Sequence, residues 1–290
     1  MKVLITGASG QVGRALLKTR PNHLEVRALN HSDLEIGDSA AVRRAVQAFA
    51  PEVVINAAAY TAVDKAETEQ ADAILANTKG PQNLAEAVRE VAGARLIQVS
   101  TDYVFDGGGT QPHRPDDPTG PISVYGQTKL VGEQVVREIL GERAVILRTA
   151  WVYAAAGKNF VLTMLRLMKE RGTVDVVADQ RGSPTAASSV ARALWRIVEL
   201  PNVQGVLHWT DQGAISWYDF ARAIAEDAAE LGLLKEGIQV WPISTAEYPT
   251  PAQRPMNSVL DLRESAARLS LQPVPWRENL ATTLRILASH

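Results

Sequence analysis

Along the first half of the chain, short β-branched runs alternate with longer stretches whose apolar positions recur at helical spacing. This pattern predicts strands over Lys2–Thr6, Glu25–Leu29, Val53–Asn56, Arg95–Ser100 and Ala144–Thr149. Between them it predicts helices over Gln11–Lys18, Ser39–Phe49, Asp64–Leu75, Thr78–Val91 and Val124–Leu140. Val53-Val54-Ile55 is apolar at consecutive positions, as a strand covered on both faces requires. Such alternation builds βαβ units, so the expected fold class is α/β: a Rossmann-type doubly wound parallel sheet with a smaller mixed α/β domain.

The second half is less regular. Helices are expected over Phe160–Arg171, Ser188–Leu200, Trp217–Leu231 and Arg277–Ala288, and strands over Val174–Val177, Gly205–Trp209 and Ile238–Trp241. Gly107–Pro121 and Tyr248–Pro255 are too rich in Gly and Pro to be anything but loops. The simplest division gives residues 1–150 to dinucleotide binding and 151–290 mainly to substrate binding, with parts of the latter returning to the first sheet.

Composition narrows the function classes. With 290 residues, 46 % of them hydrophobic, the chain can fill one large core or two moderate ones. A net charge of −2 provides no basic field, so neither nucleic acid nor an anionic membrane is an expected partner. An anionic ligand must then be held by local groups. There is no cysteine, which excludes disulfides, thiolate metal sites and cysteine nucleophiles. His23, His31, His113, His208 and His290 are scattered without metal-ligand spacing. The apolar run at the start is too short for a secretory signal, and no stretch approaches the ~18 apolar residues of a membrane span, so a cytoplasmic location is expected.

Directly after the first strand, Thr6-Gly7-Ala8-Ser9-Gly10-Gln11-Val12-Gly13 opens a helix with glycines spaced G-x-x-G-x-x-G. Gly7 permits the tight turn, Gly10 the approach of a pyrophosphate, and Gly13 close helix–strand packing, while the helix N-terminus supplies free N–H groups. A glycine triplet alone is weak, and its bland reading is a plain strand–turn–helix. Here the preceding strand, the following helix and the N-terminal position agree on a dinucleotide. The second strand ends in Leu29-Asn30-His31-Ser32, with no acid at its tip, Arg27 before it and Asp33 beyond. That favours NADPH, with NADH possible.

A second cluster carries chemistry. The fourth strand runs into Ser100-Thr101-Asp102-Tyr103-Val104-Phe105, and a helix then begins with Tyr125-Gly126-Gln127-Thr128-Lys129. Tyr and Lys at i,i+4 share one helix face. A nearby ammonium favours the phenolate, moving Tyr125 toward operating pH as a general acid for a carbonyl oxygen. Thr101, at the carboxyl end of a strand, can donate to that same oxygen. Y-x-x-x-K alone is common, its bland reading being a surface helix pair; its weight here comes from the glycine loop and the strand-end hydroxyl.

Together these residues resemble the extended short-chain dehydrogenase/reductase family, and within it the dTDP-4-dehydrorhamnose reductase branch. The resemblance is carried by Asn56–Glu67, Ser100–Phe105, Val124–Leu130, Arg148–Tyr153, Asp179–Thr185 and Tyr248–Ser258, in order along nearly the whole chain. It implies hydride transfer from NAD(P)H to C4 of a dTDP-4-keto-6-deoxy sugar, giving dTDP-L-rhamnose, with Tyr125 as acid, Lys129 lowering its pKa and Thr101 orienting the carbonyl. Implied cofactor contacts are Gly7, Gly10, Gln11, Val12, Asn30, Glu35, Ile36, Ala57, Ala58, Ala59, Tyr60, Asn77, Tyr125, Lys129 and Trp151. Implied substrate contacts are Thr101, Val104, Phe105, Tyr125, Trp151, Asn159, Arg181 and Arg254. Read without the family, Trp151 is more often core and Arg254 a surface arginine; Trp195 and Trp209 are assigned to packing, and the Lys65–Glu67 charges to a solvated helix start.

Some members of the branch form dimers through Mg²⁺ held by glutamates; the corresponding positions are Ala15 and Ser188, so no metal is expected and the chain is read as a monomer or weak homodimer. Two rivals share the scaffold. A nucleotide-sugar epimerase or 4,6-dehydratase retains NAD, and dehydratases carry an acid where Tyr103 stands. The regulatory subunit of methionine adenosyltransferase is similar in sequence without an essential reductase role; an intact Thr101–Tyr125–Lys129 set favours an enzyme.

Overall fold

The computed structural model describes residues 1–289; His290 lies outside the described residues. From the N-terminus the chain runs β1 (Lys2–Thr6), α1 (Gln11–Lys18), β2 (Glu25–Leu29), α2 (Ser39–Phe49), β3 (Val53–Asn56), α3 (Val63–Ala66), α4 (Gln70–Ile74), α5 (Gly80–Arg89), β4 (Arg95–Thr101), α6 (Val124–Leu140) and β5 (Ala144–Thr149). It continues through β6 (Val152–Tyr153), α7 (Phe160–Arg171), β7 (Thr173–Val177), β8 (Arg181–Gly182), β9 (Thr185–Ala186), α8 (Ala187–Glu199) and β10 (Gly205–His208). The last elements are β11 (Ile215–Ser216), α9 (Trp217–Glu230), β12 (Gln239–Ile243), α10 (Arg263–Leu269) and α11 (Trp276–Ala288).

Six strands pair in parallel in the order β10-β5-β4-β3-β1-β2. Because successive side chains of a strand point to opposite faces, each strand feeds two cores. Val3, Ile5, Ile55, Ile97, Val145 and Leu147 pack with Leu16 of α1 and Val190 and Leu194 of α8. Leu4, Val54, Leu96 and Ile146 pack with Val46 of α2, Leu84 and Val88 of α5, and Val136 of α6. Each such side chain, taken out of water, stabilises the fold by roughly 1.5–3 kcal/mol, which is why the consecutive apolar runs settle in the middle of the sandwich.

A third core joins Val161 and Met168 of α7, Phe220 and Ile224 of α9, and Leu280 and Leu284 of α11. The chain thus leaves the sheet after β5, builds part of this third core, and returns through α8 and β10 to the sheet's edge.

One expected helix is broken. Asp64–Leu75 divides into α3 and α4, and a π-turn over Leu75–Lys79 joins α4 to α5. The Thr68 hydroxyl donates to the Lys65 carbonyl, and Asn77 pairs with the Tyr60 backbone through both ends of its amide (2.9 and 3.0 Å). Local polar partners of this kind compete with a continuous helix. The two-residue strands β6, β8, β9 and β11 and the helix α10 have too short a pattern to be read from the sequence.

Candidate active site

The strand order reverses where β1 lies between β3 and β2, and the carboxyl ends of the strands open there into a crevice. Two adjoining cavities fill it, sharing Ser9, Gly10, Ala57 and Ala59 in their walls. The first, about 510 Å³, is lined by Gly7, His31, Glu35, Ile36, Ala58 and Tyr60 among others. The second, about 590 Å³, holds Thr101, Tyr125, Lys129 and Trp151.

The glycine loop fits a dinucleotide. Gly7 has φ +71°, and a Cβ there would come within 2.6 Å of the Ala57–Ala58 backbone. A Cβ on Gly13 would lie 2.3 Å from the Gly7 carbonyl oxygen, so helix α1 can press onto the loop only with glycine there. Gly10 caps α1 without any side-chain hydrogen bond, leaving the first-turn N–H groups of Gln11 and Val12 directed at the cavity they line.

At the tip of β2 the expectation is corrected in two respects. Asp33 turns back to accept from the Asn30 N–H (3.0 Å), and Asn30 itself accepts from Ser32 N (2.8 Å) and from Asp33 N, so an acid does stand at the tip, spent on the turn. Arg27, offered as the cation favouring NADPH, lies over the Phe49 ring at 6.0 Å and is not in the cavity wall. His31, paired with Glu35 at 3.3 Å, is the basic side chain that lines it.

The reaction end is built on β4 and α6. Ser123 caps α6 by accepting from Gly126 N (3.2 Å), and Glu67 accepts from Val124 N (2.9 Å). Glu67 is therefore part of the scaffold holding Tyr125, not of a solvated helix start. Gly126 is required because a Cβ would fall 2.2 Å from the Tyr103 carbonyl oxygen; its absence lets the helix lie on the Thr101–Tyr103 turn.

Thr101 is buried, donates to Asp102 (2.9 Å), accepts from Tyr103 N (3.2 Å), and lines the same cavity as the Tyr125 phenol. Tyr103 packs edge-on against Tyr125 at 5.7 Å. Lys129 is buried and donates to the Val99 carbonyl at 2.7 Å. Behind it a polar chain crosses the strand ends: Thr6 donates to Asn56 (2.6 Å), Asn56 to Gln98 (2.7 Å), and Gln98 to the Val99 carbonyl (2.9 Å). Buried hydroxyls of Ser100 and Thr149, which have no protein partner, line the same cavity.

The expected coupling of Lys129 to Tyr125 takes another form. Burial pushes the Tyr125 phenol up to about 12, only partly offset by the Thr101 hydrogen bond, and the Asp102 charge adds to the rise. Burial likewise brings the Lys129 ammonium down to about 8, with Glu133 opposing. Desolvation outweighs any pull of the ammonium on the phenol, so Tyr125 stays a protonated acid at neutral pH. Asp102, buried beside it, is raised to about 6 by the same desolvation, opposed in part by the Thr101 hydrogen bond.

Gln11, Val12, Ala57, Ala59 and Trp151 line the reaction cavity, and Ile36, Glu35, Ala58 and Tyr60 line the other. Asn77 and Asn159 stand behind the walls. Asn77 is buried between the Tyr60 backbone and Thr128 (3.2 Å), while Asn159 caps α7 and donates to the Gln11 side chain at 2.9 Å. Val104 and Phe105 have wholly buried side chains, with Phe105 stacked on His113 at 4.3 Å, so only their backbone is left to meet a ligand.

Arg181 and Arg254 lie outside both cavity walls. Arg254 pairs with Asp64 through two hydrogen bonds (3.0 and 2.7 Å), and Arg181 is exposed on β8, whose backbone bonds to Met256 and Ser258. Sequence reasoning missed Trp217 and Lys158, both in the reaction cavity wall. It also missed Asp64. Trp195 and Trp209 are buried packing residues, as expected, donating to Leu16 and Ser189.

Among the described residues no three His, Asp or Glu side chains gather as a metal site, and no helix is long and apolar enough to cross a membrane. The chain is 43 % identical to a dTDP-4-dehydrorhamnose reductase of Aggregatibacter actinomycetemcomitans, over 96 % of this chain and 97 % of the relative. It is equally 43 % identical to a probable dTDP-4,6-dihydroxy-2-methyloxan-3-one 4-ketoreductase of Streptomyces antibioticus, over 90 % of this chain and 86 % of the relative. Its fold is similar to the crystal structure of dTDP-4-dehydrorhamnose reductase from Bacillus anthracis in complex with NADP, with TM-score 0.91, 35 % identity and coverage of 98 % and 99 % of the two chains. Residues 1–289 match the family described as RmlD substrate binding domain, and the chain belongs to that family.

Proposed function

We propose that this chain reduces the C4 keto group of dTDP-4-dehydro-6-deoxy-L-mannose to give dTDP-L-rhamnose, using NADPH and accepting NADH. One observation carries the reading: Thr101, Tyr125 and Lys129 converge at one end of a cavity whose other end adjoins the glycine cradle. Glu35, Ile36 and Ala57–Tyr60 would hold the adenosine of NADPH and the N-terminus of α1 its pyrophosphate, and the bound cofactor would supply the hydride.

The remaining work belongs to the chain's own side chains. Thr101 donates to the carbonyl oxygen and orients it; Tyr125 delivers a proton to that oxygen as the carbon is reduced. A phenol raised to about 12 is protonated throughout the neutral range, and the alkoxide that forms is a stronger base than the phenolate left behind. Lys129, anchored on Val99, offers its other protons to the ribose hydroxyls and to the developing phenolate. Arg254 and Arg181, on the rim, are the cations available to the sugar nucleotide's diphosphate.

Tyr103 is half-buried, packed edge-on against Tyr125, with its phenol held neutral by desolvation, and a phenol, not a carboxylic acid, stands where a dehydratase needs an acid. The 43 % identity to the Streptomyces antibioticus relative favours a second reading, reduction of another dTDP-linked 4-keto sugar at the same centre. Residues 1–150 serve the dinucleotide and 151–290 mainly the sugar, in a cytoplasmic monomer or weak homodimer. The test is NADPH oxidation at saturating dTDP-4-keto-6-deoxy-L-hexose, repeated with NADH. No absorbance loss with any dTDP-4-keto sugar, together with co-purification with a larger synthetase, points instead to a regulatory subunit.

A further inference from the structure

Trp151 has a backbone φ of +46°, a left-handed conformation that is strained for a non-glycine residue and persists only where surroundings enforce it. Its carbonyl accepts from Thr185 N (3.2 Å). Its indole lies close to Gly182, where a Cβ would come within 2.4 Å of Cε2. It also stacks on Trp217, with ring centroids 3.4 Å apart and planes 7° from parallel. Full face-to-face overlap is not the arrangement that indole quadrupoles prefer, so the frame must hold the rings there.

Trp217 is itself well held. It is the first residue of α9, directly after Ser216, whose hydroxyl and backbone N–H exchange hydrogen bonds with Asp219 in a capping box. Its ring also meets Phe160 at 4.6 Å. It lines the same cavity as Thr101, Tyr125 and Lys129.

We infer that Trp217 is a positioning residue for the reduction: it fixes the plane of Trp151, and the two indoles form an apolar wall against which the C–H face of the hexulose lies. This rests on the reductase reading above. The fixed wall turns the sugar so that its keto oxygen faces Thr101 and Tyr125, while contributing nothing to the dinucleotide, which is held by the glycine loop.

The experiment compares wild type, Trp217→Ala, Trp217→Phe and Trp151→Ala in NADPH oxidation, varying dTDP-4-keto sugar and NADPH separately, with near-ultraviolet circular dichroism of each protein. Trp217→Ala is expected to raise the sugar KM about tenfold (~1.4 kcal/mol) with the NADPH KM within about twofold. Phe at 217 restores most of the sugar KM because a flat ring still backs Trp151. The exciton signal of the stacked indoles disappears in all three variants. An unchanged sugar KM in Trp217→Ala, or an NADPH KM rising in parallel, overturns the inference and leaves the reductase intact. Absence of keto-sugar reduction in the wild type overturns the reductase reading itself.

Discussion

The two ends of the cleft are built from different materials. Around the glycine loop the wall includes residues with little or no side chain, Gly7, Gly10 and Ala57–Ala59, which follow strands whose side chains are locked into the sheet's two cores. Around the sugar end the side chains come from distant segments: Trp151 and Trp217 stack in the wall, Asn159 holds Gln11 from behind it, and Asp64 pairs with Arg254 outside it. A backbone wall changes only if the sheet deforms; a side-chain wall changes with one substitution. That difference suits a protein whose cofactor is common to many enzymes and whose substrate is not.

The largest expected effect comes where the two ends meet. Tyr125→Phe should lower kcat at least about a thousandfold with NADPH binding near normal, measured by single turnover and by cofactor fluorescence; more than about a tenth of the rate, ~1.4 kcal/mol of barrier, removes Tyr125 from the acid role. Next is the backbone wall. Gly13→Val puts carbon into the Gly7 carbonyl and should weaken NADPH binding more than about tenfold and lower stability by about 1–3 kcal/mol, read from cofactor titration and denaturant unfolding. Normal values for both would mean that helix α1 can move away freely.

Outside that wall, Arg254→Ala should raise the sugar KM about tenfold and leave the NADPH KM alone. An equal rise in both would place Arg254 in the scaffold instead of on the diphosphate.

The smallest effect is a pH limb. Lys129 is charged below about 8 and neutral above it, while Tyr125 remains protonated on both sides of that value. The rate should therefore be flat near neutrality and fall as pH rises through 8, approaching about tenfold per pH unit, and Lys129→Arg should remove the fall because guanidinium stays charged. A limb appearing only near the ordinary lysine pKa would show that burial does not govern this ammonium.

Much of the backbone end was legible before any coordinates. Strands of consecutive apolar residues, the glycine spacing directly after β1, and the Tyr125–Lys129 interval are local patterns, and local patterns report local geometry. The pairing of Asn77 with the Tyr60 backbone, 17 residues away, was not legible. Nor was the role of Glu67, whose partner Val124 lies 57 residues away, or that of Asp64, 190 residues from Arg254.

The amino-acid order by itself determined a parallel doubly wound sheet, a dinucleotide cradle and a phenol one helical turn from an ammonium, since each depends on residues within a few positions of one another. Only the tertiary structure decided how acidic that phenol is, because desolvation depends on everything packed around it and not on the neighbour at i+4. It also decided which side chains wall the sugar end. Trp217 faces Trp151 because α9 returns across the cleft after the chain has already revisited the sheet through α8 and β10, a path set by packing three cores together.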